Sequence, residues 1–152
     1  MKTIINSLVL IVITPIIALG NVTMSLTSPP INSTFQAGAH INVDGQVDFG
    51  SSDPYVNFVE LYVLADNADP TYGLITASCL ANIYDYDDYL FGGGYKKFNS
   101  DYKVFNATKK TGDNGDVQYF VSARPFNAST GPIIANPGFP EYLYRSVPIN
   151  IQ

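Results

Sequence analysis

Ten prolines and twelve glycines punctuate this 152-residue chain, and beyond its first twenty residues they leave almost no helical spacing of apolar residues. What lies between them is a set of short runs rich in Val, Ile, Tyr, Phe and Thr. Branched and aromatic side chains of that kind suit a pleated, half-buried surface. In "NVTMSLTSP" the alternation passes through Val22, Met24 and Leu26 and stops at Pro29-Pro30. "AHINVDGQVDF" continues it with Ile41, Val43, Val47 and Phe49, and Asp44-Gly45 is expected to make a bend or bulge. "YVNFVELYVLAD" is the strongest candidate core strand, with Val59, Leu61 and Val63 on one face and Val56, Phe58, Glu60 and Tyr62 on the other.

"GLITASCLANIY" is a nearly continuous apolar run, and "YKVFNAT" reads as a strand through Tyr102 and Val104, with Phe105 on its opposite face. Asn114-Gly115 carries a strong hairpin-turn cue. The strand after it places Val117, Tyr119, Val121 and Ala123 on one face and Gln118, Phe120, Ser122 and Arg124 on the other. Pro148 marks the last run, "LYRSVPINIQ", as an edge or bulged strand. The pattern predicts one all-β domain over residues 21–152, an Ig-like or fibronectin-III-like antiparallel β-sandwich of about seven strands.

The opening "MKTIINSLVLIVITPIIALG" has a positive residue at Lys2, an apolar stretch from Ile4 to Leu19, and small residues at Ala18 and Gly20. That is the form of a secretory signal peptide over residues 1–20, with cleavage before Asn21. No second apolar span follows, so the mature chain is expected outside the cell or in its wall, with no stable membrane insertion after cleavage. Four N-x-S/T acceptor sites, at Asn21, Asn32, Asn106 and Asn127, agree with export and are expected at the surface as glycosylation sites. Cys79 is the single cysteine, so no internal disulfide can form and packing must supply stability. A buried thiol is favoured over an intermolecular bridge, because an unpaired cysteine behaves as a small hydrophobe. Losing Lys2 with the leader takes the net charge from −5 to −6, which argues against nucleic acid or anionic membrane as a partner.

Enzyme chemistry finds little to work with. His40 is the sole histidine, which excludes a histidine-rich metal site within one chain, and no serine stands in a G-x-S-x-G elbow. No catalytic residue, metal ligand or cofactor is assigned. Glu60 is the one glutamate in the strand-rich body, so a pair of carboxylates for glycoside hydrolysis is the weakest functional reading. Oxygen-rich loops with Asp66 and Asp69, with Asp85, Asp87 and Asp88, and with Asp113 and Asp116 raise calcium as a candidate, but none has the spacing of a twelve-residue EF-hand loop.

The densest chemistry lies in "NIYDYDDYLFGGGYKKF". Continued as a strand from Ile83, it puts Tyr84, Tyr86 and Asp88 on one face and Asp85, Asp87 and Tyr89 on the other. Gly92-Gly93-Gly94 then turns the chain and Tyr95-Lys96-Lys97-Phe98 returns, giving a hairpin with an acidic arm and a basic arm. Charge-compensated pairing explains the run in structural terms. Tyrosine rings with carboxylates alongside would also suit sugar, so Tyr84, Asp85, Tyr86, Asp87, Asp88 and Tyr89 are the candidate ligand-binding residues.

At the two ends of the mature chain, "MSLTSPPINSTFQAGAHINV" and "VQYFVSARPF" followed by "YRSVPINI" resemble fungal secreted Ig-like domains of the yeast cell-wall synthesis (Kre/Knh) type. Ser28, Pro29, Ala37 and Gly38 carry the likeness at the start, and Tyr144, Ser146 and Ile149 at the end. The chain departs from that family in having no Trp, and the tyrosine-aspartate run has no counterpart there. The resemblance implies an extracellular Ig-like fold associated with the fungal wall or β-glucan assembly, and it transfers no catalytic residue. The expected function is a secreted, non-catalytic module whose partner is cell-wall polysaccharide. The alternative is an adhesion or host-directed domain that binds an extracellular protein.

Overall fold

The structure, a computed structural model, describes residues 22–50, 56–89, 93–136 and 139–152, with backbone alone for 49–50, 85–89, 93, 135–136 and 139–141. The expected leader and Asn21 lie outside the described residues. The elements are β1 (Thr23–Ser28), β2 (Ser33–Phe35), β3 (Asp44–Gly50), β4 (Phe58–Ala65), β5 (Leu74–Tyr89), β6 (Gly93–Asn99), β7 (Tyr119–Asn127), β8 (Gly131–Pro132), β9 (Ile134–Asn136), β10 (Phe139–Tyr142) and β11 (Arg145–Ile151). Eight strands form one strongly curled mixed sheet in the order β1-β3-β6-β5-β4-β7-β11-β2. β8 pairs with β7, and β9 with β10 makes a separate hairpin. No helix occurs among the described residues, so the all-β reading holds. Purely antiparallel pairing does not, because β11 and β2 run parallel.

β5 is the element that ties the sheet together. Its residues Leu74 to Ala81 pair with β4 and its residues Asn82 to Tyr89 pair with β6. Two irregularities bend it. One is at Thr76, between the pairs Val63↔Ala77 and Leu64↔Ile75; the other is at Tyr84, between Ile83↔Phe98 and Asp85↔Lys97. An extra residue in one strand kinks it and increases its twist, which suits a strand that changes partners along its length.

The core follows the alternation read from the sequence in β4 and β7. Val59, Leu61, Val63 and Ala65 of β4 and Tyr119, Val121 and Ala123 of β7 are buried, with Met24, Val47, Phe98, Val147, Ile149 and Ile151 from the surrounding strands. Burying one Val or Leu fully contributes about 1.5–3 kcal/mol. The inward row of β4 therefore outweighs any single surface ion pair, which contributes about 1 kcal/mol or less. Cys79 is half-buried against this core, and burial pushes its thiol up while Lys103 opposes the shift.

Four local expectations of strand and turn are corrected. Tyr102 and Val104 do not form an inward strand face: both are almost fully exposed, and Phe105 and Ala107 are buried in their place. The backbone explains the inversion. Ile41 donates to the Phe105 carbonyl at 2.8 Å, Ala107 to Ala39 at 2.8 Å and Gly38 to Ala107 at 2.7 Å, which fixes residues 105–107 against 38–41. Asn114-Gly115 does not close a two-residue hairpin. Gly115 has φ +99°, but Asn114 is not in the left-handed region, and the Asp113 side chain accepts from the Gly115 N–H at 2.7 Å in a wider loop. Pro148 does not mark an edge, since β11 lies between β7 and β2. Its carbonyl accepts from Asn32 N–H at 2.8 Å on the β2 side. A strand residue presents its N and its carbonyl to the same side, so the missing donor faces the position just before the β2 pairing begins and the ladder to β7 stays intact.

Asp44-Gly45 also proves to be continuous strand, with the irregularity on β1 opposite it, between Leu26 and Ser28. Gly45 is required there. A Cβ would strike the Phe98 ring and come within 2.5 Å of the Ser25 carbonyl oxygen. Beside it, fully buried Ser100 closes the end of β6. Its hydroxyl accepts from Val43 N–H at 2.9 Å and donates to the Ile41 carbonyl at 3.0 Å. Gly45→Ala is expected to lower stability by about 1–3 kcal/mol through overpacking. Ser100→Ala is expected to lower it by about 1–3 kcal/mol by leaving Val43 N–H buried and unpaired. Urea unfolding checks both, as a fall in midpoint at unchanged slope; a midpoint equal to wild type for Gly45→Ala contradicts the packing described.

Candidate functional site

The tyrosine-aspartate run occupies the outer half of β5, and its backbone register brings the two arms of the expected hairpin together. Asp85 lies opposite Lys97, Tyr86 opposite Lys96, Asp87 opposite Tyr95, Asp88 opposite Gly94 and Tyr89 opposite Gly93. An acid facing a lysine across an antiparallel pair is a favourable cross-strand arrangement. Residues 90–92, which connect the arms, lie outside the described residues.

The predicted grouping of faces changes at Tyr84. Ile83 pairs with Phe98, yet the next pair is Asp85 with Lys97, so Tyr84 is the inserted residue and strict alternation ends there. Ile83 stays packed against the core, and beyond the inserted residue the pairing with β6 resumes at Asp85. Tyr84 is left 56 % exposed. For Asp85, Tyr86, Asp87, Asp88 and Tyr89 the register positions stand without their side chains.

The returning arm is anchored. Lys96 Nζ donates to the Val56 carbonyl just before β4, and Lys97 Nζ lies 5.4 Å from the centroid of the Tyr95 ring. The second contact is a cation–π arrangement, of order 0.5–1 kcal/mol where exposed. The lysines thus hold the hairpin to the body of the sheet and to its own aromatic residue.

A second cluster emerges only from the register between strands. Glu60 lies opposite Arg124, and Tyr62 opposite Ser122, on the outward side of β4 and β7. Arg124 Nε and Nη2 donate to Glu60 Oε2 at 3.0 and 2.8 Å, and Nη2 also donates to the Tyr62 hydroxyl at 2.8 Å. The guanidinium carbon sits 5.3 Å from the Tyr62 ring centroid. One step along the same face, Phe58 and Phe126 stack with centroids 4.8 Å apart. Alternation along each strand places these side chains outward, but their meeting depends on a pairing that one sequence does not print.

Burial first, then the hydrogen bond to Glu60, pushes the Tyr62 hydroxyl up to about 12. The loop over 66–73 covers part of this face. Ser122 Oγ donates to the Ala68 carbonyl at 2.6 Å, which buries a hydroxyl that alternation alone would expose.

Three of the acids considered for calcium, Asp66, Asp69 and Asp113, have partners within the chain. Asp66 pairs with Lys110 at 2.6 Å, and the Asp69 carboxylate accepts from Thr71 N–H at 2.7 Å. Asp113 accepts from the Tyr119 hydroxyl at 2.7 Å, and this bond, followed by the Gly115 N–H, holds its carboxyl below the usual range. Asp44 moves the other way, raised by burial and then by Asp101. Among the described residues, no three His, Cys, Asp or Glu side chains come together in a metal-ligating group. His40 is exposed, and its backbone bridges to Asn106.

The acceptor asparagines differ in setting. Asn32 is exposed at φ 61°, and Asn106 is half-buried. Asn127 is only 8 % exposed, and its Oδ1 accepts from Ser129 N–H at 2.8 Å and Thr130 N–H at 3.1 Å. In the folded chain it caps the turn after β7, and it does not take the surface position expected of it.

Titration of Tyr62 gives a test of the outward cluster. Its folded value lies above the ordinary value of 10, so its contribution is fully present below pH 10 and is lost as pH rises towards about 12. Tyr119, also raised, adds in the same direction. Thermal unfolding is expected to show stability falling through that window, with a shallower fall in Tyr62→Phe. Equal slopes for the two proteins would contradict the burial of this hydroxyl.

No protein-family model matches the chain, and no curated protein matches it either.

Proposed function

We propose that the chain is a secreted, non-catalytic Ig-like β-sandwich module that binds or organises cell-wall polysaccharide, β-glucan being the class favoured by its likeness to the fungal cell-wall domains. The strand order supports the two-layer reading. β1, β3, β6 and the second half of β5 form one group, and the first half of β5 with β4, β7, β11 and β2 forms the other. The signal-like leader and the acceptor asparagine exposed in the fold, Asn32, support export.

The observation that carries the binding role is Tyr84. Tyr84 is 56 % exposed at a bulge between two residues paired with β6, Ile83 and Asp85, and so offers a flat ring at the surface of the sheet. A sugar ring offers an apolar face that stacks on such a surface, and neighbouring carboxylates accept hydroxyl hydrogen bonds.

Sedimentation of the secreted protein with insoluble β-glucan tests the proposal. Tyr84→Ala is expected to reduce retention several-fold, and the combined change of Tyr84, Tyr86 and Tyr89 to Ala to abolish it. Unchanged retention of the triple variant, with a native dichroism spectrum, would remove this hairpin as the binding surface. N-terminal sequencing of the secreted product is expected to begin at Asn21.

A further inference from the structure

We infer that Tyr102 is a second sugar-stacking ring, set near Tyr84 so that one chain of linked sugars lies across both. The inference rests on the polysaccharide reading of Tyr84 and extends it to a residue on a different segment. One bond brings the two segments together. Asn82, two residues before Tyr84, donates from Nδ2 to the Asp101 carbonyl at 2.7 Å, and Tyr102 follows Asp101 directly. Two residues of strand span about 7 Å, so both tyrosines branch from the backbone close to that bond.

The backbone singles out Tyr102. Lys103 N–H donates to the Ser100 carbonyl at 3.0 Å and closes a turn over 100–103, in which Tyr102 has φ 62°. Glycine or asparagine ordinarily takes a left-handed place in such a turn, because a bulky side chain crowds the backbone there. Among the described residues, the other non-glycine positions of positive φ hold Asn32 and Asp66, types that tolerate it. Packing does not account for the tyrosine, since it is 102 % exposed. The turn beneath it is nevertheless tied down. Ser100 is fully buried, Asp101 N–H donates to Asn99 Oδ1 at 3.3 Å, and Asn99 Nδ2 donates to Asp101 Oδ2 at 3.1 Å. A large ring held in water, in a disfavoured conformation, by an anchored turn is the arrangement of a ligand contact rather than of a fold contact.

The groups around the two rings decide the occupant. Asp44, Asn99 and Asn82 stand in one row across β3, β6 and β5. Asp101 lies against this row, bonded to Asn99 and Asn82 and near enough to Asp44 to disfavour its charge. Lys103 is the one cation of the turn. Two carboxylates against one lysine disfavour an anionic partner. Carboxylates with several acceptor positions each, beside flat aromatic surface, suit a neutral chain that carries many hydroxyls and an apolar ring face.

Titration calorimetry of the secreted protein with soluble β-glucan oligosaccharides of increasing length tests the inference. Tyr102→Asn removes the ring and leaves a residue suited to the turn. It is expected to weaken long oligosaccharides about tenfold and short ones far less, with a urea midpoint at or above that of wild type. Tyr102→Phe keeps the ring and is expected to bind as wild type does. If Tyr84→Ala weakens binding and Tyr102→Asn does not, this inference is overturned and the reading of Tyr84 stands. An equal loss at every length, or a lower urea midpoint in Tyr102→Asn, also overturns this inference alone. Wild-type binding that Tyr84→Ala leaves unchanged, or no binding by wild type, overturns both.

Discussion

The fold depends on one strand serving two neighbours. β5 pairs with β4 as far as Ala81 and with β6 from Asn82, so the strands on either side of this handover are joined through one continuous backbone. Such an element suits a strongly curled sheet, because a strand that bends and changes partners along its length turns the surface that a regular strand would carry onward with an even twist. The extra residues at Thr76 and Tyr84 supply the bend. The second also sets Tyr84 outward on an otherwise paired strand, so the geometry that curls the sheet presents the candidate ligand residue.

Polar side chains finish what the ladders begin. Ser100 satisfies backbone groups at Ile41 and Val43 where β6 ends, and Arg145 spans from β11 to the Met24 carbonyl. The Tyr119 hydroxyl donates to Asp113 and accepts from Lys110 N–H at 2.9 Å, tying the long β6–β7 connection to the core strand beneath it. With no disulfide possible from a single cysteine, these bonds and the apolar core are the means available for holding loops in place. They also account for acids that looked like ligands in isolation. Asp113 and Asp69 complete loop structure, and Asp66 meets Lys110.

The sequence was most legible where a strand keeps its period and has strong apolar residues on one face. Val59, Leu61 and Val63, and Tyr119, Val121 and Ala123, fall inward as alternation requires. It misled where long-range partners override local pattern. Tyr102 and Val104 alternate well, but pairing of 105–107 with 38–41 buries Phe105 and Ala107. Asn114-Gly115 has hairpin chemistry, but Asp113 recruits the Gly115 N–H into a broader loop. The acidic-basic hairpin was legible from composition, while its phase was not, because nothing in "NIYDYDDY" announces a bulge at Tyr84. The Glu60–Arg124–Tyr62 cluster depends on register between β4 and β7, which lie far apart in the chain.

The shared strand can be observed directly through nuclear Overhauser contacts in isotopically labelled protein. Backbone contacts of Val59 with Ala81 and of Asn82 with Asn99 should both appear within one molecule. Contacts from β5 to β4 that continue past Ala81, with none reaching β6, would contradict the handover on which the curled sheet and the placement of Tyr84 both stand.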